Sequence, residues 1–314
     1  MPGQQIIRRY IIAAMNRLFQ LTEPIILAAA LPHDERPIWI VGPPRSGTTL
    51  LYQALIHCYD FAYITNFTSR FYRAPVTATW LIKPLWRKRH KALDFESTYG
   101  KTPGWFGPHE SGSFWYRWFP KGPHVYVPPN TIPESKLDEF RKEIIGLSRA
   151  LNAPPLFKNV YNSMRIAPIM EAFPNSSFLV TYRNPVDTAQ SILQARENIY
   201  GDKRKWVSAE PKEIDEIAKH PYWEQVVEQV YYIYRQVEED AQRYGPSRFF
   251  GIDYEALCAN PNRTLAGIER FLEQQSISLH RHGTIETQFS FSTGQRICDN
   301  DYEKIVAKAS QLWP

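Results

Sequence analysis

The stretch Ile38-Trp39-Ile40-Val41-Gly42-Pro43-Pro44-Arg45-Ser46-Gly47-Thr48-Thr49-Leu50-Leu51 decides how the rest of the chain is read. Its first four residues are an apolar run of the length of a buried strand, and Gly42-Pro43-Pro44 ends that run as a turn. Thr48 and Thr49 then open a helix-competent run through Leu55. Strand, glycine loop and helix in that order point backbone N–H groups and the positive end of a helix dipole at one spot, which suits an anion. An ordinary tight turn accounts for the glycines, but not for Arg45, Ser46, Thr48 and Thr49 together.

Gly42 and Gly47 keep the spacing of the triphosphate loop G-x-x-x-x-G-K-[ST], whose lysine holds the β- and γ-phosphates and whose hydroxyl holds magnesium. Here Thr48 stands in the lysine position, and the cation sits inside the loop as Arg45. A guanidinium offers five donors in a fixed fork, which matches a tetrahedral oxyanion without a metal. A second stretch, Arg183-Asn184-Pro185-Val186-Asp187-Thr188-Ala189-Gln190-Ser191, follows the apolar run Ser177 to Tyr182. Asn184 is suited to cap a helix that starts at Pro185. An arginine at a strand's carboxyl end and a serine along the next helix can grip one phosphate from two sides. In open α/β sheets that is where ligands sit.

The remaining sequence reads as one mixed α/β domain of 314 residues, with residues 1–36 a helical extension and 37–314 the core. Apolar runs near Pro37, Leu156, Ser177 and Arg248 alternate with helical stretches, the pattern of a mainly parallel sheet flanked by helices. Tyr222 to Tyr244, with Val226, Val230, Ile233 and Val237 on one face, is the clearest helix. Two insertions interrupt the core, at about 66–130 and 197–220. The first carries a basic run (Lys83, Arg87, Lys88, Arg89, His90, Lys91) that reads as a solvated helix face, with collection of an anionic acceptor as the alternative. It also carries the ring-rich segments Trp105-Phe106 and Phe114-Trp115-Tyr116-Arg117-Trp118-Phe119. These are expected to wall a ligand cleft, with packing on the sheet as the alternative.

Composition, at 43% hydrophobic and 22% charged, is that of a soluble globular protein. A formal charge of +5 is too modest for a nucleic-acid binder and fits a small anionic ligand. The three cysteines are scattered and form no disulfide framework or zinc site, so the cytoplasm is the expected compartment and no metal is assigned. Near the N-terminus Ile7, Ile11, Ala14, Leu18 and Leu21 recur at helical spacing. They are expected to pack on the domain, with a membrane-surface helix as the alternative. Arg8, Arg9, Arg17, Glu23 and Pro24 argue against a membrane span.

The segment P-x-R-S-G-T-T-L-L at Pro43 to Leu51 resembles the 5′-phosphosulfate loop of the sulfotransferases that use 3′-phosphoadenosine 5′-phosphosulfate. Arg183 to Ser191 resembles their 3′-phosphate motif, R-x-P-x-D-x-x-x-S. Asp253-Tyr254-Glu255-Ala256-Leu257 is similar to their Y-E-D-L segment. The resemblance runs from about Pro37 to Leu272 and implies transfer of a sulfonate to a hydroxyl or amine, leaving adenosine 3′,5′-bisphosphate. The acceptor it implies is a small molecule, a glycan or a lipid-linked group. It further implies that Arg45, Ser46, Gly47, Thr48 and Thr49 hold the 5′ end of the donor. Arg183 and Ser191 would hold the 3′-phosphate, and Tyr254 would border the nucleotide. Lys158 matches a lysine that contacts the bridging oxygen, and Arg45 is the natural stabiliser of the sulfonate.

Two departures stand out. The K-x-H of the cytosolic subgroup would place a base two residues after Lys158, where this chain has Val160. The usual nucleotide-contacting R-K-G near the C-terminus is absent, and Gly294 and Arg296 are the nearest residues. Glu110 first and His109 second are the expected bases, since the tyrosylprotein and heparan branches use glutamate. The rival readings are a nucleotide kinase or NTPase, which the missing loop lysine disfavours, and a silent nucleotide- or glycan-binding protein on the same fold.

Overall fold

A computed structural model describes residues 2–28, 35–89, 95–98, 100–120 and 125–314. The strands Ile38–Val41 (β1), Leu156–Lys158 (β2), Ser177–Tyr182 (β3) and Phe249–Asp253 (β4) form one parallel sheet in the order β2-β1-β3-β4. The described helices are α1 (Pro2–Ala28), α2 (Thr48–Cys58), α3 (Pro75–Arg89), α4 (Gly112–Trp115), α5 (Glu134–Leu151) and α6 (Ile166–Ala172). They continue with α7 (Pro185–Tyr200), α8 (Ile214–Ile217), α9 (Tyr222–Tyr244), α10 (Tyr254–Ala259), α11 (Pro261–Gln274) and α12 (Asp299–Leu312).

β1 is the centre because all four of its residues are apolar and buried, so it can be covered on both faces. Successive strand side chains point to opposite faces. Ile38 and Ile40 accordingly join Leu51 and Leu55 of α2 and Leu265 and Ile268 of α11 in one core layer. Trp39 and Val41 join Phe140 of α5 and Phe157 of β2 in the other. The chain leaves β1 toward β2 on one side and later places β3 on the other. The crevice outside the carboxyl ends of β1 and β3 is thus the switch point where such sheets hold ligands.

The expected elements appear where the sequence placed them, with their caps. Asn184 accepts from the N–H groups of Val186 and Asp187, and Asn260 from that of Arg263. Phe114, Trp115, Trp118 and Phe119 are buried in the second core layer around Trp39 and Phe140. These rings therefore build the support of the insertion rather than its open surface, while Trp105 stays 61% exposed.

α1 departs from expectation in direction. Ile11, Leu18 and Leu21 are 54%, 60% and 71% exposed, so the apolar face points away from the domain. Its inward side combines apolar contacts, with Phe19 on Phe71 at 5.1 Å between ring centroids and Ile26 and Leu27 against the second core layer, with two polar anchors. Asn16 donates to the Arg70 carbonyl at 2.8 Å, and the Glu23 carboxylate accepts from the N–H groups of Val76 and Thr77 at 2.8 and 2.7 Å. Those two N–H groups belong to the first turn of α3 and have no partner within that helix, so the carboxylate helps to fix which side of α1 turns inward. By length and composition alone, Tyr10–Ala28 is apolar enough to cross a membrane, because Arg8 and Arg9 fall outside that window. Leu31, His90 and Lys91 lie outside the described residues, as do the side chains of Ile7, Arg87, Lys88 and Arg89.

Candidate active site

The loop between β1 and α2 is shaped by its glycines. Gly42 has φ 141°, and a Cβ there would lie 2.7 Å from Thr181 Oγ1. Gly47 has φ 94°, and a Cβ there would overlap the Tyr254 ring. Arg45 also adopts a positive φ, 70°, a conformation that costs energy in a residue with a side chain. Its Nε donates to Ser191 Oγ at 3.1 Å, so the first and second stretches meet through side chains. Ser46 is fully buried. Its hydroxyl donates to the Pro43 carbonyl at 2.8 Å and lies 2.7 Å from Thr181 Oγ1, which makes it a brace inside the loop.

A cavity of about 240 Å³ opens against this loop. Arg45, Gly47, Thr48 and Thr49 line one side, Glu110 and Lys158 a second, and Arg183 with Tyr254 a third. Ile192, Ala195, Ile199 and Val207 supply an apolar wall. Ser46, His109 and Ser191 are not among its lining residues.

Lys158 ends β2 and is 3% exposed. Its ammonium donates to Thr49 Oγ1 at 3.0 Å and pairs with the Glu110 carboxylate. Glu110 is held by its main chain, because its carbonyl accepts from Asn159 Nδ2 at 3.0 Å and from Trp115 Nε1 at 2.6 Å. Gly100, at φ 81°, lies so close to the Glu110 carboxylate that a Cβ would overlap it. The neighbouring His109 turns its Nδ1 to accept the Ser111 N–H at 2.7 Å, and burial pushes its pKa below the usual histidine range. In that arrangement the neutral ring carries its proton on Nε2.

Arg183 sits at the end of β3. Its Nη1 donates to the Arg45 carbonyl at 3.0 Å and its Nη2 to the Ser292 carbonyl at 2.9 Å. The guanidinium lies 4.7 Å from the Tyr254 ring centroid, a cation–π contact. The loop around Gly294 docks on the start of α7. Gln190 Nε2 donates to the Gly294 carbonyl at 2.8 Å, and the Arg296 N–H donates to Gln190 Oε1 at 2.9 Å. Burial, and then the charge of Arg183, push the Arg296 pKa down. Asp187 partly offsets this, since Arg296 Nη2 donates to its carbonyl at 2.9 Å and lies 3.7 Å from its carboxylate.

Sequence reasoning missed Ser97, Gly100, Val207 and Ser208 of the cavity lining. Their neighbours in sequence carry no motif, and only the fold brings the two insertions to the loop. The strand ends at Arg183 and Lys158 were legible. So, weakly, was the Gly294–Arg296 segment.

The model of the sulfotransferase family matches residues 37–276. Among proteins with curated descriptions, none matches the sequence. Sulfotransferase STF9 from Mycobacterium avium aligns in structure over 94% of this chain and 72% of its own, with 13% identity and a TM-score of 0.53. A sulfotransferase from Alicyclobacillus acidocaldarius aligns over 89% of this chain and 93% of its own, at 16% identity and a TM-score of 0.45. At these identities the STF9 likeness speaks for the fold, and the family match speaks for the chemistry. The chain belongs to the sulfotransferase family, enzymes that transfer a sulfonate group.

Proposed function

We propose that the protein transfers the sulfonate of 3′-phosphoadenosine 5′-phosphosulfate in line to a hydroxyl or amine of an acceptor, leaving adenosine 3′,5′-bisphosphate. The observation that carries this reading is Lys158, which joins Thr49 of the glycine loop to the Glu110 carboxylate inside one cavity. In this reading Arg45, Thr48, Thr49 and the N–H groups of the loop take the 5′-phosphosulfate. Arg183 takes the 3′-phosphate with Ser191 and Arg296 beside it, and Tyr254 borders the nucleotide. Residues 37–314 act as one catalytic domain.

The chemistry balances on these groups. The acceptor oxygen or nitrogen forms a bond to sulfur, and the sulfur–oxygen bond to the 5′-phosphate breaks with its electron pair on the phosphate. The acceptor proton passes to Glu110, and Lys158 offsets the charge that grows on the leaving oxygen. His109 holds the Glu110 loop through Ser111 and is the second choice of base. The apolar wall of Ile192, Ala195, Ile199 and Val207 supports an acceptor with a hydrophobic part. Free thiols at Cys58, Cys258 and Cys298 support a reducing compartment.

Thermal-shift measurement tests the donor. Adenosine 3′,5′-bisphosphate at a hundredfold excess over its Kd stabilises the fold by about 2.7 kcal/mol without magnesium. Stabilisation by ATP with magnesium, and none by the bisphosphate, overturns the proposal. A mass-spectrometric acceptor screen with labelled donor then reads the transfer itself.

A further inference from the structure

The outward face of α1 is apolar from Tyr10 to Ala28. At about 100° per residue, Tyr10, Leu21, Ala14, Ile25, Leu18 and Ile11 fall side by side in an arc of roughly 100°. The five large members of that row are 54% to 73% exposed. A surface helix ordinarily turns such a stripe to the core. Here the inward side is already occupied, by Asn16 and Glu23, both buried and bonded to the domain, and by Phe19, Ile26 and Leu27 packed on it. The face therefore has no partner within the described chain, and the polar anchors hold it outward.

The apolar surface continues onto α3. Thr22, at one border of the arc, lies 3.3 Å from Thr77 by their hydroxyls. One and two turns beyond Thr77 stand Trp80, Leu81 and Leu85, which are 59%, 50% and 56% exposed. Beyond the other border, marked by the exposed Arg17, a groove of about 410 Å³ runs between α1 and residues 70–73. Arg17, Arg70 and Arg73 line it, and no acidic residue does.

Charge follows the same segments. Residues 2–28 and 75–91 together contain eight Lys or Arg and one acidic residue, Glu23, which is buried. Their net +7 exceeds the +5 of the whole chain, so the rest of the protein is slightly acidic. A large exposed apolar strip with an exposed tryptophan and a basic flank is the pattern of a helix lying in a membrane interface. A helix crossing the bilayer would have to pull Glu23 and Asn16 from their bonds into hydrocarbon.

We propose that the outward faces of α1 and α3 dock the enzyme flat on an anionic phospholipid bilayer, with the arginine groove beside α1 taking lipid phosphate. This docking does not depend on the donor-site reading.

The test is vesicle flotation of the full chain on phosphatidylcholine and on phosphatidylcholine with 30 mol% phosphatidylglycerol. The wild type is expected to float at least tenfold better with the anionic vesicles, and millimolar inorganic phosphate is expected to leave that binding intact. The triple variant Leu18→Glu/Leu21→Glu/Ile25→Glu and the double variant Trp80→Glu/Leu85→Glu should each lose at least tenfold. Far-UV circular dichroism and the melting midpoint should match the wild type in both, which shows that they fold. Arg17→Glu/Arg73→Glu should erase the preference for anionic vesicles. Absent flotation of the wild type, or unchanged flotation of the α1 and α3 variants, overturns the proposal. So does resistance of membrane-bound protein to alkaline carbonate, which would mean a spanning helix. A dimer that the α1 variant splits, with no vesicle binding, would assign the face to a second copy instead.

Discussion

Replacing Arg183 with alanine separates a phosphate contact from a loop brace. The side chain makes two main-chain bonds, to Arg45 and to Ser292, and stacks on Tyr254. Each guanidinium nitrogen in those bonds retains a further N–H, and Nε is buried without a protein acceptor. A charge-assisted bond to a phosphate is worth about 1.5–3 kcal/mol. At about 1.4 kcal/mol per tenfold, Arg183→Ala should weaken adenosine 3′,5′-bisphosphate by about 10- to 150-fold. The informative comparison is adenosine 5′-monophosphate, titrated calorimetrically against both proteins. If Arg183 holds the 3′-phosphate, the variant and wild type bind the monophosphate alike, because the lost contact was never made. Arg183→Lys, which keeps the charge but cannot bridge both carbonyls, should fall between. An equal loss for the two nucleotides would refute the reasoning and leave Arg183 as a brace between the loops at Arg45 and Ser292.

Glu110→Gln should lower turnover by about 10²- to 10⁴-fold with bisphosphate affinity unchanged, whereas His109→Ala should retain most turnover; single-turnover kinetics with labelled donor decides between them, and full activity of both variants removes the base from this loop. Gly47→Ala forces a side chain at φ 94° into the Tyr254 ring and should cost about 1–3 kcal/mol of stability, read as a lowered urea midpoint together with weaker bisphosphate binding. Glu143 gives a pH signature with an unusual sign. Burial raises its pKa to about 7, only partly offset by Arg117. The folded state thus keeps a proton that the unfolded chain gives up near the ordinary carboxylate value. Stability is lost as pH climbs from about 4.5 to 7, by on the order of 3 kcal/mol. Glu143→Gln should lack that slope, so melting curves of the two proteins coincide near pH 4.5 and separate by pH 7.5; parallel behaviour contradicts the assignment.

The parts of this molecule that were legible from sequence are those whose causes are local. β1 could be read because four consecutive buried apolar residues precede a Gly/Pro turn. α7 could be read because Asn184 and Pro185 supply its cap and first position within two residues. The glycine loop was legible because the positive φ of Gly47 is a local demand. The Lys158–Glu110 pair is different in kind. Each residue could be named as a site member, but nothing within reach of either in the sequence specifies that they meet. Their meeting depends on Asn159 and Trp115 fixing the main chain of Glu110, and on Trp115 being seated among Trp39, Phe140 and Phe157. The ring-rich segment, expected to wall the cleft, acts one step back from it by holding the carboxylate in place.

α1 shows the limit most clearly. Periodicity establishes that a helix has an apolar face, and here it found the right residues. It carries no information about which way that face points, because direction is set by what else the domain must satisfy. The first turn of α3 begins at Pro75 and leaves the N–H groups of Val76 and Thr77 unpaired within the helix. Glu23, more than fifty residues earlier, satisfies both. That buried carboxylate on two helix N-terminal donors, together with Phe19, Ile26 and Leu27 packed on the domain, fixes which side of α1 turns inward. The apolar face is turned out as a result. An ordinary globular protein would shed such a surface by substitution. Its coincidence with most of the chain's basic excess gives a physical reason to keep it: the same rotation that pairs Glu23 with α3 presents leucines, a tryptophan and arginines together to an anionic bilayer.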